Sequence, residues 1–191
     1  MYKFYAYLNR MKDIKRWSLM HSVREENIME HSQAVAVIAH SLALINNKIL
    51  GKNADVNKVV LLAQYHEVGE VITGDLPTPI KYFNPEIKTA YKDLEKTACI
   101  RILDMLPEEL KGEYEKYVLP DESEYEYKLV KAADRLAAYL KCVEELKFGN
   151  SEFKKAKTTI LNDVKDMHLP EVDYFLKNFA PAFELTLDEL D

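Results

Sequence analysis

Apolar residues recur at helical spacing along nearly the whole chain. Over residues 30–47, Ala34, Val35, Ile38, Ala39, Leu42 and Ile45 fall on a three-to-four-residue period, which predicts a helix with one inward face. Residues 122–148 carry Leu129, Val130, Ala133, Ala137, Leu140 and Val143 in the same rhythm and stop at Gly149-Asn150. Between these runs, Asp55 is suited to cap a helix with core positions Val59, Leu62 and Ala63 that ends near 69–73. Residues 86–105 set Ile87, Tyr91, Leu94, Ala98, Ile102 and Met105 on one side. Shorter helices are expected over 4–11, 108–117, 151–165 and 171–179, and Pro77, Pro79 and Pro85 make 74–85 a loop. β-Branched residues are mixed with Ala, Leu, Lys and Glu instead of alternating with polar positions, so no strand is expected. The pattern predicts one all-α domain over residues 1–191.

Composition narrows the class. A length of 191 residues suits a single domain, and five glycines argue against a loop-rich chain. No apolar run reaches the roughly 18–20 residues of a membrane span. The start, Met1-Tyr2-Lys3-Phe4-Tyr5-Ala6-Tyr7, has no long apolar segment or small-residue cleavage site, which points to the cytoplasm. The net charge of −6 comes without a concentrated basic surface, so neither a nucleic-acid polymer nor a membrane is an expected partner. The basic positions from Arg10 through Arg16 to Arg24 suit a pocket for one small phosphate. Cys99 and Cys142 lack paired metal-ligand spacing and are expected as buried free thiols.

Candidate chemistry lies on three of these helices. Asp134 is flanked by Leu129, Val130, Ala132, Ala133, Leu136, Ala137 and Ala138, and an aspartate buried there must be paired, hydrogen-bonded or bound to a metal. An ion pair with Lys131 or Arg135 is the plain alternative. His66 and Glu70 are four apart, with Glu67 between them, so imidazole and carboxylate come close enough for a divalent cation. An exposed acidic helix end would have the same spacing. His31 opens an apolar helix as ligand, cap or interface histidine. His40 should point away from it, and His21 and His168 suit surface or packing roles, with an auxiliary substrate role open for His21. Trp17, the only tryptophan, lies among Ile14 and Leu19 and fits either core or pocket.

Together, Arg24, Glu30-His31-Ser32, His66-Glu67 with Glu70, and Lys131-Ala132-Ala133-Asp134 resemble the HD superfamily of metal-dependent phosphohydrolases. More narrowly, the chain resembles the bacterial YfbR-type 5'-deoxynucleotidases in Ile14-Lys15-Arg16-Trp17, in Thr73-Gly74-Asp75-Leu76-Pro77-Thr78-Pro79, and in Ala138-Tyr139-Leu140-Lys141-Cys142-Val143-Glu144-Glu145-Leu146. The likeness runs nearly end to end, through Phe179-Ala180-Pro181-Ala182-Phe183. It implies an HD-domain helical bundle, a homodimer, and hydrolysis of deoxyribonucleoside 5'-monophosphates to deoxynucleoside and phosphate. It implies one divalent transition metal ion, Co, Mn, Zn or Cu, held at His31, His66, Glu67 and Asp134. Glu70 then matches an acid that positions water and assists proton transfer. Arg16 matches a phosphate contact, and Trp17 a residue beside the sugar that excludes a 2'-hydroxyl. Asp75 matches a residue near the sugar, with Thr78 and Pro79 on the pocket wall. Arginine suits multidentate contact with phosphate oxygens.

Glu67 departs from this pattern, where the resembling family has aspartate. Its stem is one methylene longer, and metal sites tolerate only about ±0.2 Å in ligand distance. Glu67 either coordinates after a small backbone adjustment, or binds metal weakly with an altered choice of ion, or leaves a nucleotide-binding regulatory protein without catalysis.

Overall fold

The central helix starts at Asn27, whose side-chain oxygen accepts hydrogen bonds from the Met29 and Glu30 amides at 3.0 Å each. This cap places the helix start two residues ahead of the apolar repeat, because a cap satisfies orphan amides that periodicity does not register. A computed structural model describes every residue except Tyr82 and the side chain of Thr78. The pocket-wall role expected of Thr78 therefore lies outside the described residues.

In chain order the helices are α1 (Phe4–Leu8), α2 (Ile28–Leu44), α3 (Val56–Tyr65), α4 (Glu70–Thr73), α5 (Thr78–Lys81), α6 (Pro85–Leu103), α7 (Glu108–Val118), α8 (Tyr125–Lys147), α9 (Lys154–Lys165) and α10 (Pro170–Asn178). No strand occurs among the described residues, only one isolated antiparallel bridge between Lys15 and Asn27. The fold is an all-α, single-domain helical bundle.

Its main core is built by α2, α3 and α8. Val35, Leu42, Val59, Leu62, Leu129 and Leu136 meet there fully buried, and Ala39, Ala63, Ala132 and Ala133 let the backbones approach closely. Each large aliphatic side chain buried in this way contributes about 1.5–3 kcal/mol. Val164, Val172 and Phe175 extend this core onto α9 and α10. A second cluster of Phe4, Val68, Ile102, Leu103, Leu106 and Val118 ties α1, α6 and α7 to the turn after α3. The N-terminal helix is shorter than its apolar pattern, passing at Asn9 into a tighter 3-10 turn.

Three local features depart from the sequence pattern. First, α2 widens at its end into a π-turn, Ile45–Ile49. That turn buries Asn46, which donates to Glu171 at 2.6 Å and accepts from the Ala54 amide at 3.2 Å. Second, the proline-rich segment contains α5, because Pro79 falls in its first turn, where no backbone donor is required. Third, Leu94 and Ala34 face outward although they match the apolar repeat.

The run Ile28–Ile49 has a mean hydropathy of 1.3 over its most apolar window and is long enough by composition to cross a membrane. That window is 56% buried inside the bundle, which accounts for its hydropathy as a core helix. Cys142 is buried and Cys99 half-buried, and both are free. Burial pushes their thiols up to about 12 and about 11, respectively, so both stay protonated and unreactive.

Candidate functional site

The helical run carrying His66 breaks where the chemistry sits. α3 ends at Tyr65, a turn follows, and α4 begins at Glu70. Gly69 lets this turn pack closely on α6: a Cβ there would stand 2.9 Å from Cys99 Sγ, so a larger residue would displace that neighbour. The turn aims His66 and Glu67 toward α2 and α8.

His66 Nδ1 lies 2.6 Å from the Ala63 carbonyl. A carbonyl only accepts, so Nδ1 donates there and Nε2 is the nitrogen turned toward the cluster. That Nε2 is 3.1 Å from Glu67 Oε1 without hydrogen-bond alignment. A ring nitrogen and a carboxylate oxygen thus converge on one point. His31, fully buried on α2, sets Nε2 at 3.0 Å from Asp134 Oδ1 on α8. The two imidazole rings are 5.5 Å apart. One ligand atom from each of His31, His66, Glu67 and Asp134 lies within 4.8 Å of all the others.

The donor set fits a divalent cation. It offers two imidazoles and two carboxylates, a mixture that suits transition metals. His66 Nε2, His31 Nδ1 and Glu67 Oε2 are buried without hydrogen-bond partners. Such groups are rare in a folded protein and call for an ion or a function. Glu67 reaches the cluster on its longer stem, so the departure at this position leaves the four-residue set together.

Charge at the site is strongly coupled. Burial opposes ionisation of Asp134, yet Lys131 at 3.0 Å and His31 hold its carboxyl well below the usual range. Burial opposes ionisation of Glu67 too, and the neighbouring His66 and Arg16 keep it low. Glu70 shows the converse. Burial and then the Glu67 charge push it far above the carboxylate range, so Glu70 keeps the proton of the pair. The Arg16 guanidinium is raised despite its burial, because Glu67, Asp134, Glu26 and Asp75 surround it. Burial raises Asp75, with Arg16 opposing.

Beside this cluster opens a cleft of about 1300 Å³ whose wall includes Arg16, Trp17, Asp75, Pro79, Lys131 and Asp134. Asp134 therefore belongs to both cluster and cleft. The structure thus gathers His31, His66, Glu67, Asp134, Glu70 and Arg16 at one end. It sets Trp17, Asp75 and Pro79 on the adjoining wall. Glu70 is buried and contributes nothing to that wall. His21, His40 and His168 are exposed and stand apart from the metal-ligand set.

A family profile described as 5'-deoxynucleotidase YfbR-like matches residues 3–183. The chain belongs to the YfbR-like 5'-deoxynucleotidase family. It is 52% identical to a 5'-deoxynucleotidase of Vibrio cholerae over 192 residues, covering 98% of this chain and 97% of the relative. A 5'-deoxynucleotidase of Yersinia pseudotuberculosis is 50% identical, covering 100% of this chain and 97% of that protein. Among solved structures, an HD-domain phosphohydrolase from Listeria innocua superposes with a TM-score of 0.82 at 21% identity, covering 95% of this chain and 88% of that one. A cyanophage S-2L HD phosphohydrolase bound to dA and one catalytic Zn2+ ion gives 0.67 at 21% identity, covering 93% and 95%. These two likenesses show the shared fold.

Two residues at the site of this YfbR-like chain have no site role assigned from the sequence. Glu26 accepts from Arg16 Nε at 3.2 Å and from Trp17 Nε1 at 3.0 Å, both on Oε2. Only its place beside a stretch of cationic residues could have drawn attention to it. Lys131 reads in the sequence as a plain ion-pair partner of Asp134. The structure keeps that pair and also sets Lys131 on the cleft wall. Its ammonium is raised first by Asp134, with burial opposing.

Proposed function

We propose that this YfbR-like chain hydrolyses deoxyribonucleoside 5'-monophosphates to deoxynucleosides and inorganic phosphate, as a cytoplasmic homodimer with the single domain spanning 1–191. The observation that carries this reading is the convergence of four ligand atoms within 4.8 Å beside a cleft walled by Arg16 and Trp17. Relatives that are half identical over nearly their full length bear the same named activity.

His31, His66, Glu67 and Asp134 would hold one divalent transition metal ion, Co, Mn, Zn or Cu. When bound, such an ion polarises a phosphate oxygen and makes water a better nucleophile at neutral pH. The chain's own groups do the remainder. Arg16 spends Nε on Glu26, which leaves its terminal nitrogens for phosphate oxygens, where charge spreads in the transition state. Lys131 adds a second cation on the same wall. Glu70, buried beside Glu67, can give and recover a proton next to the ligand set. Trp17 closes the sugar side, and Asp75 and Pro79 complete the pocket.

The test is phosphate release from paired deoxyribo- and ribonucleoside 5'-monophosphates, after stripping metal and restoring Co, Mn, Mg, Zn or Cu singly. Metal-dependent release favouring the deoxy substrates supports the reading. Saturable nucleotide binding without release under every metal overturns it and makes Glu67 the cause.

A further inference from the structure

We propose that Glu26 is a positioning residue for sugar selection: one carboxylate oxygen locks Trp17 to Arg16, fixing where the indole stands relative to the bound phosphate. The inference rests on the function proposed above and extends it to a residue outside the ligand set and outside the cleft wall.

The segment begins with a backbone problem. Trp17 has φ +58°, a left-handed conformation that side chains larger than glycine adopt only when their surroundings impose it. The surroundings do so here from both sides. The Arg16 amide donates to the Glu26 carbonyl at 2.9 Å, and the Met20 amide donates to the Trp17 carbonyl at 2.8 Å. From this turn Trp17 lines the cleft wall.

The ring is then fixed at two points. Its flank packs on Phe153, with centroids 5.3 Å apart and planes 58° apart. Its Nε1 donates to Glu26 Oε2 at 3.0 Å. Packing alone would leave the ring free to slide along Phe153, and the hydrogen bond removes that freedom. Because the same oxygen takes Arg16 Nε at 3.2 Å, indole and guanidinium cannot shift independently. Arg16 and Glu26 side chains are only 13% and 15% exposed, so water competes weakly for these bonds.

Discrimination against one hydroxyl requires a wall held to a fraction of an ångström. A rigid indole tied to the phosphate-binding arginine meets that need, since the distance from phosphate to C2' is fixed by the nucleotide. Without Glu26 the indole retains its bulk and loses its register. The expected loss is therefore in selectivity more than in metal binding.

Trp17 is the chain's one tryptophan, so its fluorescence reports this side chain without turnover. The experiment compares the wild-type chain with Glu26→Gln, Glu26→Ala and Glu26→Asp by acrylamide quenching, metal content, and kcat/KM on paired deoxy- and ribonucleotides. We expect Glu26→Ala to raise the quenching constant and lower the deoxy-over-ribo ratio about tenfold, the loss of a charged hydrogen bond. Metal content should stay at the wild-type level, and Glu26→Asp should recover part of the ratio. Should the alanine variant fail to fold, Glu26→Gln keeps the shape and supplies both readings.

Unchanged quenching, or raised quenching with unchanged selectivity, overturns the proposal. An inactive wild-type chain would sink the hydrolase reading alone. The deoxy-over-ribo binding ratio, read from nucleotide-induced fluorescence in wild type and variants, would then decide the role of Glu26.

Discussion

His66 and Glu67 are adjacent in sequence, and their Nε2 and Oε1 atoms stand 3.1 Å apart without sharing a hydrogen bond. With the Nδ1 proton committed to Ala63, this contact makes sense as two ligand atoms aimed at one cation. Substitution of either ligand should therefore remove metal before it removes fold. His66→Ala and Glu67→Ala are expected to lose bound metal and at least about 100-fold in rate, since changes even behind a ligand weaken metal sites 10–100-fold. Glu67→Asp should keep the metal. Metal analysis of dialysed protein beside circular dichroism checks this, and full metal retention in Glu67→Ala would remove Glu67 from the ligand set.

Arg16 cannot be replaced by lysine. Its Nε is engaged by Glu26 and its Nη1 stands 3.7 Å from Glu67, leaving a planar fork that an ammonium cannot reproduce. Arg16→Lys should lose about 100-fold or more in kcat/KM, in the range seen for removing one preorganised donor to a transition state. Steady-state kinetics on a deoxyribonucleoside monophosphate decides it. Near-wild-type turnover by Arg16→Lys would remove the bidentate phosphate role.

Glu145 pins the chain that follows Trp17 at Val23 and Arg24. Buried on α8, it accepts from the Val23 and Arg24 amides, from Lys141 at 2.6 Å and from Asn150 at 2.7 Å. Burial opposes its charge, but these donors depress it from 4.5 to about 2. A carboxyl depressed in the fold stabilises above its unfolded value and loses that stabilisation as pH falls through its folded value. Glu145→Gln should thus be less stable by about 3 kcal/mol at neutral pH. The difference should shrink as pH drops from 4.5 toward 2. Urea unfolding at several pH values measures it, and a pH-independent difference would refute the assignment.

Gly69→Ala should destabilise the chain by about 1–3 kcal/mol, the usual penalty for overpacking. The added carbon would meet Cys99 Sγ at 2.9 Å and the Glu95 carbonyl at 3.4 Å. Adding Cys99→Ala to it should recover most of the loss relative to Cys99→Ala alone. Thermal unfolding of the four proteins completes the cycle, and strict additivity would show that the contact is not the cause.

Much of this architecture was legible in the residues themselves. The apolar rhythm of α2, α3 and α8 marked the main core, since burial of one helix face imposes a short-range repeat. The ligand set was legible only through resemblance, because His31 and Asp134 meet across 103 residues of chain. Glu26 was silent for a similar reason. It acts through a fold-back onto Arg16 and Trp17 that no helical or strand period encodes. The α2 start and the π-turn were missed where a polar side chain, Asn27 or Asn46, decides the backbone. Outward-facing Leu94 shows that periodicity marks a face without showing how wide its partner is.

The central claim is that His31, His66, Glu67 and Asp134 form one metal centre that drives phosphate release. Its most direct test titrates metal into stripped protein while following bound metal and phosphate release on the same sample. The account predicts that activity on deoxyribonucleoside 5'-monophosphates rises with occupancy and saturates at one ion per chain, and that His31→Ala and His66→Ala neither bind nor respond. Phosphate release that persists in stripped protein, or full metal-dependent activity in either histidine variant, would contradict it.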